Sequence, residues 1–411
     1  MDEFRFVHAA DLHLDTPFTG VGLTSPSVSV ALRDASLRVW DALVRLTIES
    51  RAECLLLSGG LYDGPELGLR APLALRDGLQ TLAERHVPVF IVLGGRDPID
   101  VWGAGFDWPS NVTIFDSSGT SVPLRREGRH LATLHGLSHP ADDAAQRLRG
   151  MFGPAGSSPL HIGLLHGAVG SGDESSPCAH VSLEELRRLP VDYWALGHEH
   201  ARRYVSEDPW IVYPGTPQGR VAMDHDDAFG AIVAEVAGGE VRQISFEALD
   251  VVRFRSVEIE ADRLERTELL RKALDRVEAL RRENGGRALL LEIRLKRRAS
   301  RIDELDVWLE SELRARTEDW NPCVWWTSAG DRTVREPLRS TVRDESEIGS
   351  LLLDRSEALQ GAVLPRSSFL ARELEPLRRA WDAELDLEEA KGLIRDATSL
   401  ALGELAERTI E

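Results

Sequence analysis

Four short apolar runs in this chain are each followed by a loop that contains aspartate, histidine or glycine. The runs are Phe4–Ala10, Cys54–Leu57, Pro88–Leu93 and Tyr193–Leu196, and the loops after them are Asp11–His13, Gly59–Asp63, Gly94–Asp97 and Gly197–His200. Short apolar runs that end in such loops are typical of buried strands. Because ligands of open α/β sheets gather at the carboxyl ends of strands, these loops are expected to meet at one site.

The segments between these runs predict an α/β fold. Two segments, 29–52 and 66–86, have helical character, and in the first the apolar residues recur at intervals of three and four. Later runs predict further strands at Val112–Phe115, Leu131–Leu134, His161–Leu165, Ile211–Tyr213 and Ala231–Val236. Another histidine, His166, ends the third of these. Alternation of strand and helix indicates a layered α/β sheet, and we predict one domain over residues 1–250.

The rest of the chain changes character. Residues 251–343 predict a small α+β domain, with strands at Val252–Glu260, Ala288–Leu295 and Cys323–Trp326 and helices over 262–284 and 302–316. Residues 344–411 are acidic and predicted to be helical, with apolar residues at helical spacing. This C-terminal region either packs on its own protein or docks on a partner.

Composition narrows the functional classes. The 411 residues are 42% hydrophobic, and no run is long and apolar enough for a membrane helix, so we expect a globular protein without membrane association. The acidic N-terminus does not resemble a signal peptide, and three distant cysteines argue against a disulfide framework, so we expect a cytoplasmic location. A net charge of −19 argues against bulk electrostatic binding of DNA, but it leaves room for a local basic groove.

The ordered loops resemble those of calcineurin-like metallophosphoesterases, and in particular the DNA-repair exonuclease branch typified by SbcD and YhaO. That family's pattern is D-x-H, G-D-x-x-D, G-N-H-D, a lone histidine and G-H-x-H. Here the pattern reads Asp11-Leu12-His13, Gly59-Gly60-Leu61-Tyr62-Asp63, Gly94-Gly95-Arg96-Asp97, His166 and Gly197-His198-Glu199-His200. The resemblance covers residues 4 to about 250. It implies a β-sandwich flanked by helices, with a capping domain and a helical tail.

The resemblance also implies which residues hold metal. Asp11, His13 and His200 would serve a first ion, and His166 and His198 a second. Three family positions are changed here: the bridging aspartate falls at Gly60, the asparagine ligand at Gly95 and the catalytic histidine at Arg96. No catalytic residue is therefore assigned.

These changes predict a weakened site. The first ligand set can still hold one Mn²⁺ or Fe²⁺, whereas two imidazoles without a carboxylate are a poor site for a second ion. Arg96 stays protonated and cannot act as a general acid, but Arg96 and Arg220 are candidates for binding phosphate. Asp63 and Asp97 are interpreted as residues that brace their loops, and His8, His130, His135 and His161 as structural or surface residues.

Three functional hypotheses remain open at this point. The first is a nuclease-family subunit with impaired or absent phosphodiesterase activity, which binds DNA ends or serves as a scaffold for an SMC-like ATPase. The second is an active exo- or endonuclease that uses the one remaining metal site. The third is an engineered inactive variant of such an enzyme. The resemblance implies DNA and an SMC-like ATPase as partners, together with a homodimer.

Overall fold

The computed structural model describes residues 3–18, 32–63, 69–95, 97, 108–138, 144–152, 158–170, 179–220, 228–261, 264–296, 304–317, 320 and 324–326. Arg96 and the predicted helical region 344–411 lie outside these residues. In chain order the elements are β1 Phe4–Ala9, α1 Ala35–Glu49, β2 Cys54–Ser58, α2 Arg70–Glu84, β3 Val89–Val92, β4 Val112–Ile114, β5 Thr120–Arg126, β6 Arg129–Leu137, α3 Ala144–Met151, β7 His161–Val169, β8 Ala179–Val181, α4 Leu183–Arg188, β9 Tyr193–Gly197, β10 Arg203–Glu207, β11 Trp210–Tyr213, β12 Gly230–Ala237, β13 Glu240–Ala248, β14 Val252–Glu260, α5 Arg266–Glu283, β15 Ala288–Lys296, α6 Glu304–Thr317 and β16 Val324–Trp326.

Two large sheets carry the fold. The first has the strand order β13-β12-β1-β2-β3-β4, in which β1 to β4 run parallel and β12 is antiparallel to both β1 and β13. The second has the order β10-β11-β9-β7-β6-β5, with β8 paired to β7. Strands β6, β7, β9 and β11 are parallel neighbours. Each sheet therefore directs several strand carboxyl ends toward a common edge.

Side chains that alternate between the two faces of each strand form two separate layers of hydrophobic core. In the first sheet, Phe6 and Leu56 face the second sheet, while Val7 and Leu55 face the opposite way. The outward residues pack against α1 and α2, and the outer face of the second sheet packs against α3 and α4. Successive strand side chains point to opposite faces, so a continuous apolar run can supply two cores at once. The predicted α/β sandwich flanked by helices is confirmed.

The contact between α1 and α2 depends on one glycine. Trp40 is fully buried, and its indole N–H donates to the carbonyl oxygen of Ala74 at 2.9 Å. A Cβ atom at Gly78 would lie 2.2 Å from that indole nitrogen, so a larger residue would push the two helices apart. This packing holds the helical layer against β1 and β2, the strands that lead into the first two loops.

Several predicted boundaries differ from the observed ones. Within the two predicted helical segments the described helices span Ala35–Glu49 and Arg70–Glu84, and the predicted starts at 29 and 66 lie outside the described residues. Strand β7 continues to Val169, so His166 lies inside this strand rather than at its end. Strands β5, β8, β10 and β13 and helices α3 and α4 were not predicted. Three of these strands, β5, β10 and β13, are edge strands with polar faces, which obscures their apolar pattern.

The predicted α+β segment contains a three-stranded sheet of order β14-β15-β16 together with α5 and α6. By compactness, one unit takes in Met1–Val257, Leu270–Ile293 and Glu310–Ser328, and a second contains Glu258–Leu269 and Arg294–Leu309. The domain boundaries at 250 and 343 stay predictions. Within the described residues, no helix has both the length and the apolar character to cross a membrane.

Candidate metal centre

The first two loops are joined by backbone hydrogen bonds that continue the pairing of β1 with β2. The N–H of Asp11 donates to Gly59 O at 2.8 Å, and the N–H of His13 donates to Gly60 O at 2.9 Å. Leu14 N and Leu61 O continue the series at 2.9 Å. These hydrogen bonds pair the backbone N–H groups of the first loop with carbonyl oxygens of the second. The sheet therefore fixes the positions of the Asp11 and His13 side chains.

Asp97 ties the second loop to the third. One carboxylate oxygen accepts from the N–H groups of Gly60 at 2.7 Å and Gly94 at 3.0 Å, and the other from Leu61 at 2.8 Å and Tyr62 at 3.3 Å. Asp97 is fully buried. Burial raises the pKa of its carboxyl, and the backbone donors oppose this rise. The carboxylate is thus committed to the loops, which confirms the prediction that Asp97 braces its loop.

Asp11, His13 and His200 come together although 187 residues separate the last two. One ligand atom from each lies within 4.8 Å of the others. The two Nε2 atoms of His13 and His200 are 3.0 Å apart, and His13 Nε2 lies 4.0 Å from Asp11 Oδ1. Asp11 and His13 are buried, whereas His200 is exposed. Solvent can therefore reach the cluster from the side on which His200 lies.

Asp63 fixes the orientation of His13. Its Oδ1 lies 2.8 Å from His13 Nδ1, and its Oδ2 accepts from the hydroxyl of Thr16 at 2.9 Å. Burial alone would raise the pKa of Asp63, but the His13 and Thr16 hydrogen bonds and the charge of Arg220 hold that pKa well below its ordinary value. An ionised carboxylate keeps the proton on Nδ1, so Nε2 presents its lone pair to the cluster. Asp63 therefore braces the His13 side chain, as predicted.

Asp11 is held at both its side chain and its backbone. Its Oδ2 accepts from the N–H of His198 at 2.8 Å, and its carbonyl oxygen accepts from the Thr216 hydroxyl at 2.8 Å. Asp11, His13 and His198 have positive φ angles of 53°, 43° and 106°. Such backbone is strained for these residues and persists only where the surroundings enforce it, as at binding and catalytic sites.

His166 and His198 form a second imidazole pair whose ring centroids are 5.5 Å apart. His166 Nδ1 lies 2.8 Å from Ser58 O and so carries the proton, which leaves Nε2 as the acceptor atom. Its ring fits against Gly59, Gly94 and Gly197, since a Cβ atom at any of these would lie within 3.0 Å of a ring atom. Three glycine backbones therefore enclose the buried His166 ring. The nearby Asp97 carboxylate already accepts hydrogen bonds from backbone N–H groups.

At Gly60 the chain has no room for a side chain. Its φ is +66°, and a Cβ atom there would lie 2.5 Å from Asp11 Oδ1 and 2.8 Å from Asp11 Cα. Asp11 thus occupies the direction that a residue at position 60 would use. Gly95 is exposed, and Arg96 lies outside the described residues. Arg220 is half-buried, with one guanidinium nitrogen 3.8 Å from Asp63 Oδ2, which places it at the rim of the cluster.

Among the histidines predicted to be structural or surface residues, His8, His135 and His161 have structural surroundings. His8 is fully buried between Tyr193, Leu196 and Ser58, and burial lowers its pKa to about 3. His135 hydrogen-bonds to His161 at 2.9 Å, and burial, with the charge of His161, lowers its pKa to about 4.

Sequence reasoning named Arg220 in the loop after β11 as a candidate for binding phosphate, but it did not identify how this loop anchors the site. Thr216 anchors Asp11, and the buried Gln218 bonds to the backbone of Val251 and Val252. The same rule that found the other loops applies here, because Pro214 and Gly215 follow an apolar strand. The loop thus joins the cluster to the start of β14.

The first cluster fits one divalent ion. Each side chain offers one ligand atom, and the separations of 3.0 Å and 4.0 Å from His13 Nε2 are compatible with a shared ion at the usual metal–ligand distance of ~2.1 Å. The donor set of one carboxylate and two imidazoles suits Mn²⁺, Fe²⁺ or Zn²⁺. The second pair offers two imidazole nitrogens, and in the part of the chain that the structure describes no carboxylate is available to it.

Comparison with known proteins adds one named relative. The chain is 29% identical over 257 residues, 61% of its length, to the uncharacterised metallophosphoesterase YhaO of Bacillus subtilis strain 168. It spans 62% of the length of that relative. The crystal structure of TT1561 from Thermus thermophilus matches over 60% of this chain and 100% of its own, with 12% identity and a TM-score of 0.36. No protein-family model matches the sequence. The similarity to this relative supports a metallophosphoesterase assignment.

Proposed function

We propose that this protein is a calcineurin-like metallophosphoesterase homologue of the DNA-repair exonuclease branch whose phosphodiesterase activity is impaired or absent. In this proposal it holds at most one ion, Mn²⁺ or Fe²⁺, on Asp11, His13 and His200. It binds DNA ends, scaffolds an SMC-like ATPase in the cytoplasm, or does both. The observation that carries the proposal is the close approach of Gly60 to Asp11.

Two-metal phosphodiester hydrolysis requires ions about 3.5–4 Å apart that stabilise the attacking and leaving oxygens together. A shared carboxylate is the usual means of holding two like charges so close. Position 60 lies against the Asp11 carboxylate and carries no side chain, and Asp97 is committed to four backbone N–H groups. Neither position therefore offers the ligand that would join a second ion to the first.

Phosphate binding does not need the second ion. Arg220 stands at the rim of the cluster, and a guanidinium donates to phosphate oxygens in a planar, paired geometry. One metal ion and a nearby arginine supply positive charge that attracts a phosphate. They do not supply the second ion that would stabilise the attacking and leaving oxygens together. This supports binding of DNA without efficient cleavage.

The experiment is a metal count combined with a cleavage assay. Purified protein loaded with Mn²⁺ and dialysed should contain at most one ion per chain, and His200→Ala should lower that content further. We expect negligible cleavage of single- and double-stranded DNA ends. Two bound ions per chain, or robust Mn²⁺-dependent cleavage, would overturn the proposal.

A second variant tests whether the three missing family side chains account for the expected lack of cleavage. The triple variant Gly60→Asp, Gly95→Asn, Arg96→His supplies the three family side chains. Because a side chain at position 60 must displace Asp11, we expect this variant to regain little activity unless the loop moves. Strong activity of the triple variant, with none in the wild type, would show that the absence of these three side chains alone explains the inactivity.

A one-metal phosphodiesterase is the second candidate. It is favoured by the tight Asp11, His13 and His200 cluster and by the ionised Asp63, which presets the His13 tautomer. In that case slow cleavage should saturate at one ion per chain and disappear in His13→Ala. Cleavage that survives this substitution would point to a contaminating nuclease.

The ATPase partner and the homodimer follow from the resemblance. Light scattering on the full chain gives its oligomeric state, and a monomer at micromolar concentration would remove the homodimer. Deleting residues 345–411 should abolish co-purification with an SMC-like ATPase from the same cell. Association that persists without this segment would refute docking through it.

A further inference from the structure

A small cleft lies beside the metal cluster and shares His200 with it. It is lined by His200, Arg202, Pro214, Gly215, Ala228 and Phe229. The lining includes one full positive charge, that of Arg202. His200 thus belongs both to the cluster, where its Nε2 lies 3.0 Å from His13 Nε2, and to the lining of the cleft.

The Arg202 side chain is held in place by an aromatic ring. Its guanidinium carbon lies 3.9 Å from the centroid of the Phe246 ring, a cation–π arrangement. Stacking of this kind uses the face of the planar guanidinium and leaves its N–H edge available to acceptors. Among the described residues, no carboxylate pairs with Arg202, although the chain as a whole carries a net charge of −19.

The backbone beneath Arg202 is equally constrained. Gly215 has a φ of +78°, and a Cβ atom at this position would lie 2.7 Å from His200 O and 2.9 Å from Arg202 N. Only glycine allows the loop after β11 to approach this closely. The same contact therefore sets the backbone positions of His200 and Arg202, while the Phe246 ring orients the Arg202 guanidinium.

The neighbouring arginine gives a contrast. Arg203 is also exposed, but it pairs with Glu199 at 3.0 Å and donates to Val169 O at 3.3 Å. Its charge is already compensated within the protein. Of these two adjacent arginines, Arg202 is therefore the one that combines a fixed orientation, an open cleft and, within the described residues, an uncompensated charge.

We propose that the Arg202 cleft is a second phosphate subsite, which takes the phosphate adjacent to the one at the metal cluster. The preferred ligand class is then a chain with consecutive phosphodiesters, rather than an isolated mono- or diester. This inference rests on the proposed function, because it adds a second anion site to the same metal centre. A guanidinium with a free N–H edge binds phosphate oxygens by paired, charge-assisted hydrogen bonds.

The test is binding of a fluorescein-labelled six-residue oligothymidylate to the full chain loaded with Mn²⁺, measured by anisotropy over a range of salt. We expect Arg202→Ala to weaken binding about tenfold and to lower the slope of log Kd against log salt by about 0.7, the value for one phosphate contact on a single strand. Arg202→Lys, which keeps the charge but loses the fork, should fall between wild type and Arg202→Ala. Arg203→Ala, the matched control, should change Kd less than about twofold, because its charge is internally paired.

Competition with bis(p-nitrophenyl) phosphate, which has one phosphate, should give the same inhibition constant for wild type and Arg202→Ala. Unchanged oligonucleotide binding in Arg202→Ala, or equal losses in the two alanine variants, would overturn the subsite. Bound Mn²⁺ and circular dichroism should match the wild type in all variants, because Arg202 and Arg203 are exposed.

The proposed DNA-binding function and the proposed phosphate subsite can be refuted independently of each other. If the wild type binds no oligonucleotide, the DNA-binding function is refuted, and calorimetric titration with inorganic pyrophosphate then judges the subsite. Pyrophosphate binding that is lost in Arg202→Ala and kept in Arg203→Ala supports the cleft as an anion subsite. Absence of pyrophosphate binding refutes it.

Discussion

Replacing Asp97 by asparagine should destabilise the protein strongly, although the two side chains have nearly the same shape. Both carboxylate oxygens of Asp97 act only as acceptors, for four backbone N–H groups in two loops. Asparagine retains one such oxygen and turns an NH₂ group toward the other two donors. Two hydrogen bonds to a charged group are lost, and two buried backbone donors are left without an acceptor.

The magnitude follows from these contacts. A hydrogen bond to a charged group contributes about 1.5–3 kcal/mol, so the loss of two gives at least about 3 kcal/mol. For a domain of this size, each kcal/mol shifts Tm by about 2–4 °C, so we expect a fall of about 6–12 °C. Differential scanning calorimetry in EDTA measures this change without the contribution of bound metal.

Asp116 supplies the control. It is exposed, and one of its oxygens accepts three hydrogen bonds from Ser118 and Gly119 within a turn. Asp116→Asn keeps an oxygen that can take the same bonds, and water can replace any that are lost, so we expect a change of less than about 0.5 kcal/mol. Equal Tm values for the two variants would refute the claim that Asp97 holds the second and third loops together.

Three further predictions concern the site and its supporting core. Asp63→Asn should weaken Mn²⁺ binding about 10–100-fold in calorimetric titration, because His13 loses the negative charge that holds its proton on Nδ1; unchanged affinity would contradict this role. Gly60→Ala should destabilise the protein by more than Gly128→Ala, since both glycines have positive φ but only Gly60 of the two would clash; equal urea midpoints would show that the clash is relieved. His8 has a folded-state pKa of about 3, below its ordinary value of 6.5, so its contribution to stability is present above pH 6.5 and is lost as pH falls; between pH 6.5 and 5.0 the loss should approach about 2 kcal/mol in urea unfolding and should be absent in His8→Gln.

The central strands and their loops could be predicted from sequence for a clear physical reason. Strands buried on both faces are continuous apolar runs, and Cys54–Ser58 and Val89–Val92 have no exposed face to interrupt the pattern. The edge strands Thr120–Arg126 and Glu240–Ala248 mix polar and apolar residues, because one face meets solvent, and they were missed. The His166 error has the same origin, since the apolar pattern weakens at Gly167 although pairing continues to Val169.

The order of aspartate, histidine and glycine along the chain was enough to predict which residues meet. Because parallel strands bring their carboxyl ends to one edge, the strand order predicted that these loops converge. The resemblance to the metallophosphoesterases implied that Asp11, His13 and His200 form one ligand set and that position 60 lacks a carboxylate, and the three side chains do come together.

Only the tertiary structure decided how those residues are used. That Asp63 faces His13, that Asp97 accepts from four backbone donors and that Thr216 holds Asp11 depend on side-chain directions between loops distant in sequence. The same holds for Gly60, which is a missing ligand in the sequence but a point of contact with Asp11 in the fold. Such contacts arise from the register and twist of the packed sheets, and the spacing of residues along one strand does not encode them.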